Sequence, residues 1–105
     1  MRILLKKINS GYCGWGNGYV IMPKGHKLHG VDYNDINVEV HGGLTYSELI
    51  TKQMLEEAGG LTSDDLGCWI IGFDTCHAGD NKNNCTRDYV ESEARNLMRQ
   101  VMEYK

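Results

Sequence analysis

The chain lacks any apolar run long enough to cross a membrane. Its longest uninterrupted apolar runs, residues 19–22 and 68–71, are short, whereas a transmembrane helix needs about 20 residues. The amino-terminal segment, residues 1–7, returns to charged side chains too soon for the apolar part of a secretory signal. These two absences predict no membrane association and, by default, a cytoplasmic location.

An excess of positive charge is also absent. The 105 residues include 11 lysines and arginines against 14 aspartates and glutamates, for a net charge of −3. Proteins that bind nucleic acid usually concentrate basic residues on one face, so we expect no nucleic-acid partner. No repeat or linker interrupts the chain, and we expect residues 1–105 to form a single domain.

The four cysteines include no C-x-x-C pair; they are Cys13, Cys68, Cys76 and Cys85. Without that spacing a zinc ribbon is not expected, and cytosolic thiols normally stay reduced. The sequence therefore favours four free or packed thiols, with no metal and no cofactor. The alternative is a metal site formed by Cys76, His77 and Cys85.

Short apolar segments alternate with glycine-rich loops along the chain. β-compatible residues predict strands over residues 3–8, 19–22, 36–40 and 68–73. The only proline, Pro23, ends the second of these strands because it cannot donate to a ladder. Alternation of apolar and polar residues within 36–40 favours a half-buried strand.

Two segments have helical spacing. A middle helix is predicted over residues 46–58, where Thr45 and Glu48 fit a capping box. A carboxy-terminal helix is predicted over residues 87–104. Its apolar stripe consists of Val90, Ala94, Leu97, Met98 and Val101. Together these elements predict an α+β fold: a small antiparallel sheet of four to five strands packed with the middle helix and the long carboxy-terminal helix.

Two polar loops, residues 41–47 and 72–80, follow predicted strands. Each carries a histidine and glycines that let the backbone turn sharply, at strand ends where folds usually place binding groups. The candidate ligand-binding residues in these loops are His41, Gly42, Gly43, Thr45, Asp74, His77 and Asp80. We expect the two loops to lie side by side and to line a common hollow.

Further candidate residues lie outside these loops. Residues 10–18 carry four glycines with Tyr12 and Trp15. They predict either a hairpin turn in which Trp15 covers the core, or an aromatic wall for a ring-shaped ligand. Lys24, His26 and Arg87 could supply the positive charge for a compact anion, although a solvated basic loop explains the first two equally well.

Several motifs follow one another in a characteristic order: Asn17-Gly18-Tyr19-Val20, Pro23-Lys24-Gly25-His26, Asp32-Tyr33-Asn34-Asp35-Ile36, Val40-His41-Gly42-Gly43-Leu44-Thr45-Tyr46 and Gly72-Phe73-Asp74-x-x-His77-Ala78-Gly79-Asp80. This order resembles a family of small uncharacterised proteins that are encoded mainly in phages and prophages. The chain departs from the family at Ile70 and Ile71, where an aromatic pair is expected before Gly72.

The resemblance implies a role against host defence, because small phage domains often act there. We expect first a sponge that sequesters a nucleotide-derived immune signal, such as a cyclic nucleotide or a cyclic ADP-ribose derivative, without catalysis. The apolar stripe of the helix over 87–104 is long for one small core, which predicts a homo-oligomer through that helix.

Two other functions are compatible with the same residues. One is an inhibitor that docks on a host defence protein through an acidic patch formed by Glu56, Glu57, Asp64 and Asp65. The other is a small hydrolase or phosphodiesterase that uses His41, Asp74, His77 and Asp80 as acid–base groups or metal ligands.

Overall fold

A computed structural model describes residues 1–105. Its main elements are β1 (Arg2–Lys7), β2 (Gly16–Met22), β3 (Tyr46–Leu49), α1 (Lys52–Glu57), β4 (Trp69–Phe73) and α2 (Arg87–Met102), with short 3-10 turns at Tyr33–Asp35 and Ser63–Asp65. The four strands form one antiparallel sheet in the order β1-β2-β4-β3. The predicted α+β class, with a small antiparallel sheet and a long carboxy-terminal helix, is confirmed.

The two inner strands, β2 and β4, carry apolar side chains on both faces of the sheet. On one face Val20, Ile71 and Phe73 are buried in the larger core cluster. On the other face Ile21 and Ile70 pack in a smaller cluster. Since successive side chains of a strand point to opposite faces, a strand that is apolar throughout must be covered on both sides, as the sequence predicts for residues 68–73.

Helix α2 covers the larger core cluster. It begins at Thr86, whose side chain accepts a hydrogen bond from the Tyr89 N–H, an arrangement that stabilises a helix start by about 1 kcal/mol. Four residues of its predicted stripe are fully buried in the same chain: Val90, Ala94, Leu97 and Val101. The fifth residue of the stripe, Met98, is only partly buried, and the predicted assembly of copies through this helix stays a prediction.

The middle helix is shorter than predicted. Residues 46–49 form strand β3, which pairs with β4, and α1 covers only Lys52–Glu57. Its N-cap is Thr51, so the predicted capping box of Thr45 and Glu48 is wrong. Backbone pairing with β4 outweighs the helical spacing of this segment, because strand propensity depends strongly on neighbouring strands.

The segment of residues 36–40 is extended but is not a strand, so that prediction is also wrong. Its backbone groups bond to side chains of α2 instead of a neighbouring strand. Glu39 is held on both sides, its N–H donating to the Gln100 Oε1 at 2.8 Å and its carbonyl accepting from Gln100 and Asn96. Backbone N–H and C=O groups outside regular helices and sheets need other partners, and α2 supplies them here.

Cys13 and Cys76 form a disulfide, so the expectation of four free thiols is wrong for this pair. The backbone of residues 13–16 packs against the loop after β4: the Gly14 N–H donates to the Thr75 carbonyl at 2.7 Å, and the Thr75 hydroxyl donates to the Gly16 carbonyl. This packing brings together two cysteines 63 positions apart.

None of the helices combines the length and the apolar character that a membrane crossing requires.

Candidate functional site

The two polar loops lie side by side. His41 ends the extended segment that α2 holds, while Asp74, His77 and Asp80 follow β4. The His41 Nε2 atom lies 3.0 Å from both carboxylate oxygens of Asp80, and the His41 and His77 rings are 5.7 Å apart. We call His41, Asp74, His77 and Asp80 the two-loop site.

Asp80 is the centre of this site. Its side chain is 7% exposed and accepts hydrogen bonds from the His41 ring and, at 2.9 Å, from the His77 N–H. Burial alone would raise the pKa of Asp80, but these hydrogen bonds and the nearby imidazoles outweigh it and hold the pKa at about 2. Asp80 is therefore a fixed negative charge at neutral pH.

His41 has no free edge. Its Nδ1 atom lies 2.8 Å from the Tyr89 hydroxyl and its Nε2 atom faces Asp80, while its backbone N–H donates to Glu93 at 2.8 Å. Burial, together with the negative charge of Glu93, raises the pKa of Tyr89. With both ring nitrogens bonded to protein groups, His41 joins α2 to the second loop.

His77 is the open member of the site. Its Nδ1 atom lies 3.3 Å from Asp80 and 3.5 Å from Asp74, and its side chain is 35% exposed. Two carboxylates thus orient the ring through one nitrogen. The Nε2 atom has no hydrogen-bond partner in the protein and is the group that the loops present for contact.

Gly42 makes room for the His77 ring. A Cβ atom at position 42 would lie 2.2 Å from the His77 Cε1 atom, and Gly42 has a φ of +68°, which glycine adopts without strain. Gly43 also has positive φ but meets nothing within 4 Å. Of the two glycines that the sequence proposes for ligand contact, Gly42 is required by its close contact with the His77 ring.

Thr45 is exposed and lies just before β3, where its backbone N–H donates to the Gly72 carbonyl at 3.0 Å.

Trp15 and Arg87 form an aromatic and cationic pair next to the two-loop site. The Arg87 guanidinium lies 5.8 Å from the centre of the Trp15 ring, within range of a cation–π contact. The Trp15 backbone N–H donates to the Cys85 carbonyl at 2.8 Å. The Cys13–Cys76 disulfide connects the same segment to the residue before His77. Tyr12, which is 92% exposed, belongs to this segment too.

Lys24 and His26 lie elsewhere. The His26 Nε2 atom bonds the Val101 carbonyl at 2.9 Å, and its Nδ1 atom accepts the Leu28 N–H. Val101 is twelve residues beyond Tyr89 on α2, which at 1.5 Å per residue is about 18 Å. His26 therefore holds the far end of α2, and the Lys24 side chain lies beside Gly67. Neither belongs to the two-loop site.

The predicted acidic patch is also incomplete. Asp65 is buried and bonds Arg2 at 2.5 Å, while Asp64 and the glutamates at 56 and 57 are exposed. A partner that docks on this surface would meet three carboxylates and not four.

The expected hollow between the two loops is absent. Three depressions mark the surface, and none is lined by residues of the two-loop site. The most enclosed is a groove on the other face of the sheet, where its lining includes Leu4, Tyr19, Tyr46, Met54 and Ile70. The two-loop site is consequently an open surface.

Three residues outside the predicted ligand-binding set complete the site, and only Cys85 was considered from the sequence, as a metal ligand with Cys76 and His77. Tyr89 and Glu93 lie four positions apart on α2, a spacing that puts them on the same helix face, and this spacing could have revealed them. Cys85 is buried, with its Sγ atom 3.6 Å from Asp80 and 3.8 Å from the His41 Nε2 atom. The predicted grouping of Cys85 with Cys76 and His77 is wrong, because Cys76 is bonded to Cys13 in the disulfide.

No protein-family model matches the chain, and neither a curated protein nor a solved structure is significantly similar to it.

Proposed function

We propose that this chain binds a nucleotide-derived small molecule on the open surface formed by Trp15, Arg87 and the two-loop site. One observation carries the proposal: a partly exposed imidazole, bonded through Nδ1 to Asp80 and close to Asp74, lies in the same local structure as a cation placed over an aromatic ring. Nucleotides present a flat base, a negative phosphate and hydroxyl groups, and each has a partner of suitable chemistry here.

The residues divide the recognition among them. The exposed Tyr12 offers a face on which a base can stack, whereas Trp15 packs against the core and holds Arg87 over its ring. Arg87 supplies a guanidinium for the phosphate, and Asp74 with the His77 Nε2 atom can bond ribose hydroxyls. Because the surface is open, the ligand stays partly hydrated. We therefore expect a dissociation constant in the micromolar range, which corresponds to a binding free energy of about −8 kcal/mol.

The resemblance to phage-encoded proteins supports a purpose for such binding: removal of an immune signal, against host defence. Neither a membrane nor nucleic acid is part of this proposal, in agreement with the net charge of −3. The homo-oligomer through α2 stays a prediction, and all the residues of the proposed binding surface lie within a single chain.

Calorimetry against cyclic dinucleotides and cyclic ADP-ribose isomers tests the proposal. A matched pair of variants makes it specific, because Arg87 and Arg95 both pair with Glu91 on α2 and only Arg87 contacts Trp15. We expect Arg87→Ala to weaken binding about ten- to a hundredfold and Arg95→Ala to leave it unchanged. Absence of binding across the panel contradicts the proposal, as does equal weakening by both variants.

The orientation of His77 favours a second candidate, hydrolysis of such a ligand. An imidazole held through Nδ1 by a carboxylate and open at Nε2 has the arrangement of a general base, here able to take a proton from an attacking water. Mass spectrometry of the ligand after incubation separates the two functions. An intact ligand supports capture, whereas a product that disappears in His77→Gln supports hydrolysis.

A further inference from the structure

We propose that His41, Asp80 and Cys85 form a zinc-binding site. The inference goes beyond nucleotide capture: it shares His41 and Asp80 with the two-loop site, but it needs Cys85 and does not need Trp15 or Arg87. One ligand atom of each residue, the His41 Nε2, an Asp80 carboxylate oxygen and the Cys85 Sγ, lies within 4.8 Å of the other two. These atoms come from three parts of the chain that the fold brings together: the first loop, the second loop and the residue before the N-cap of α2.

The three separations fit a tetrahedral ion. Zinc bound at about 2.0–2.1 Å to nitrogen or oxygen and about 2.3 Å to sulfur keeps its ligands about 3.4–3.6 Å apart. The measured distances are 3.0 Å from the His41 Nε2 atom to Asp80, 3.8 Å from that nitrogen to the Cys85 Sγ atom and 3.6 Å from the sulfur to Asp80. Each ligand has to move by only a few tenths of an ångström.

The donor set selects the metal. Thiolate and imidazole favour zinc and its analogue cobalt, whereas magnesium and calcium require oxygen ligands throughout. Three protein ligands leave a fourth position for solvent, which is the pattern of zinc sites with an exchangeable water.

Proton movements on binding balance within the site. The Cys85 S–H bond breaks as the zinc–sulfur bond forms, and the proton leaves to solvent. His41 binds through the lone pair of Nε2, so its ring proton must sit on Nδ1. Tyr89 permits this, because its hydroxyl can accept a hydrogen bond from Nδ1–H as readily as donate one.

Neighbouring groups already hold the ligands in place. Tyr89 lies 2.8 Å from the His41 Nδ1 atom, the His77 N–H fixes Asp80, and Cys85 is 2% exposed. Hydrogen bonds of this kind orient metal ligands, and their removal commonly costs about 10–100-fold in metal affinity. Tyr89 and the His77 backbone are thus positioning groups for the site.

Cobalt absorption and zinc competition test the site directly. The oxidised protein, freed of metal with a chelator and kept without nucleotide, is titrated with Co²⁺ and then Zn²⁺ against a chromophoric chelator. We expect a single equivalent of metal and a thiolate-to-cobalt charge-transfer band. Cys85→Ser should abolish the band and weaken zinc binding by at least tenfold, whereas Cys68→Ser, which changes the other free cysteine, should change neither.

Three further variants keep the test decisive. Asp80→Asn preserves the shape of the side chain and should weaken zinc binding, and Tyr89→Phe should weaken it about 10–100-fold while the band remains. Arg87→Ala should bind zinc normally, so failure of nucleotide capture leaves this result intact. Absence of the band in the parent protein overturns the inference, as does full zinc affinity in folded Cys85→Ser or, if that variant does not fold, in Asp80→Asn.

Discussion

Two buried carboxylates occupy the same kind of turn and differ in their partners. Asp65 accepts the Thr62 N–H three residues earlier at 2.8 Å, and Asp80 accepts the His77 N–H three residues earlier at 2.9 Å. Burial would raise the pKa of each carboxyl, yet hydrogen bonds and nearby positive or polar groups lower both. The main partner from a distant part of the chain is Arg2 for Asp65 and His41 for Asp80.

The partner decides what each turn can do. Arg2 is permanently charged and also donates to the Gly60 carbonyl at 2.8 Å, so the Asp65 turn clamps β1 to the segment before β4. The Asp80 turn faces an imidazole, a thiol and a phenol, all of which can exchange protons or bind metal. One local conformation therefore serves as a structural clamp at one place and as a chemically adaptable site at the other.

Removal of the Cys13–Cys76 disulfide, which lies in the loop that carries Asp80, should cause the largest loss of stability. Closing a loop of 63 residues corresponds to about 4 kcal/mol in the chain-entropy treatment. We expect the double variant Cys13→Ser/Cys76→Ser to lose about that much free energy of unfolding in a urea titration. Cys68→Ser serves as the control, and an equal loss there would contradict the assignment.

Replacement of each carboxyl by its amide should next separate clamp from site. Asp65→Asn and Asp80→Asn each weaken charge-assisted hydrogen bonds, and we expect each to cost about 1–3 kcal/mol. Only Asp80→Asn should change the nitrogen-15 shifts of the His41 and His77 rings. Imidazole shifts that respond equally to both variants would show that the two turns are not independent.

The glycines of the first loop give a smaller, matched comparison. Gly42→Ala introduces a methyl group against the His77 ring as well as backbone strain, and we expect a loss of about 2 kcal/mol. Gly43→Ala adds strain alone and should cost about 1 kcal/mol. Thermal unfolding measures both, and Gly42→Ala should also displace the His77 ring resonances.

Acid should weaken both turns. In the folded chain the pKa of each carboxyl is lower than the ordinary value of 3.8. The two carboxylates therefore contribute fully to the stability of the fold at pH values above 3.8. This contribution is lost as the pH falls, for Asp80 down to about 2. Unfolding free energies measured from about pH 5 to about pH 2 should fall less steeply in Asp80→Asn than in the parent protein.

The smallest effect is expected at an exposed pair. Arg99 and Glu103 bond across one turn of α2 with both side chains largely in solvent, and Arg99→Ala should change stability by less than about 0.5 kcal/mol. Arg2→Ala, which leaves the Asp65 carboxylate buried without its cation, should cost more. Equal costs for the two arginine variants in chemical denaturation would remove the distinction between clamp and surface pair.

Local patterns were sufficient for much of the fold. The apolar run at 68–73 and the stripe of α2 correspond to buried positions, since both depend on periodicity within one element. The failures involve distant partners. Residues 46–49 pair with β4, and the backbone of residues 36–40 is hydrogen-bonded to side chains of α2. Neither contact can be recognised from the local sequence.

The candidate site was predictable in part for the same reason. Histidines and aspartates in glycine-rich turns identified the two loops, and their contact is present at the His41–Asp80 pair. The pairing of Cys13 with Cys76 and the approach of Cys85 to His41 arise from packing between segments far apart in the chain. No spacing rule within a single segment could have supplied them.

The attachment of residues 37–41 to α2 changes the meaning of that helix's polar face. Glu93, Asn96 and Gln100 resemble ordinary solvent-facing residues, yet each bonds the backbone of the neighbouring segment. Together these three side chains attach residues 39–41 to one face of the helix. An engineer who exchanged Asn96 and Gln100 for stronger helix formers would gain helicity and loosen His41 at a distance, so the damage would show in the site and not in the helix.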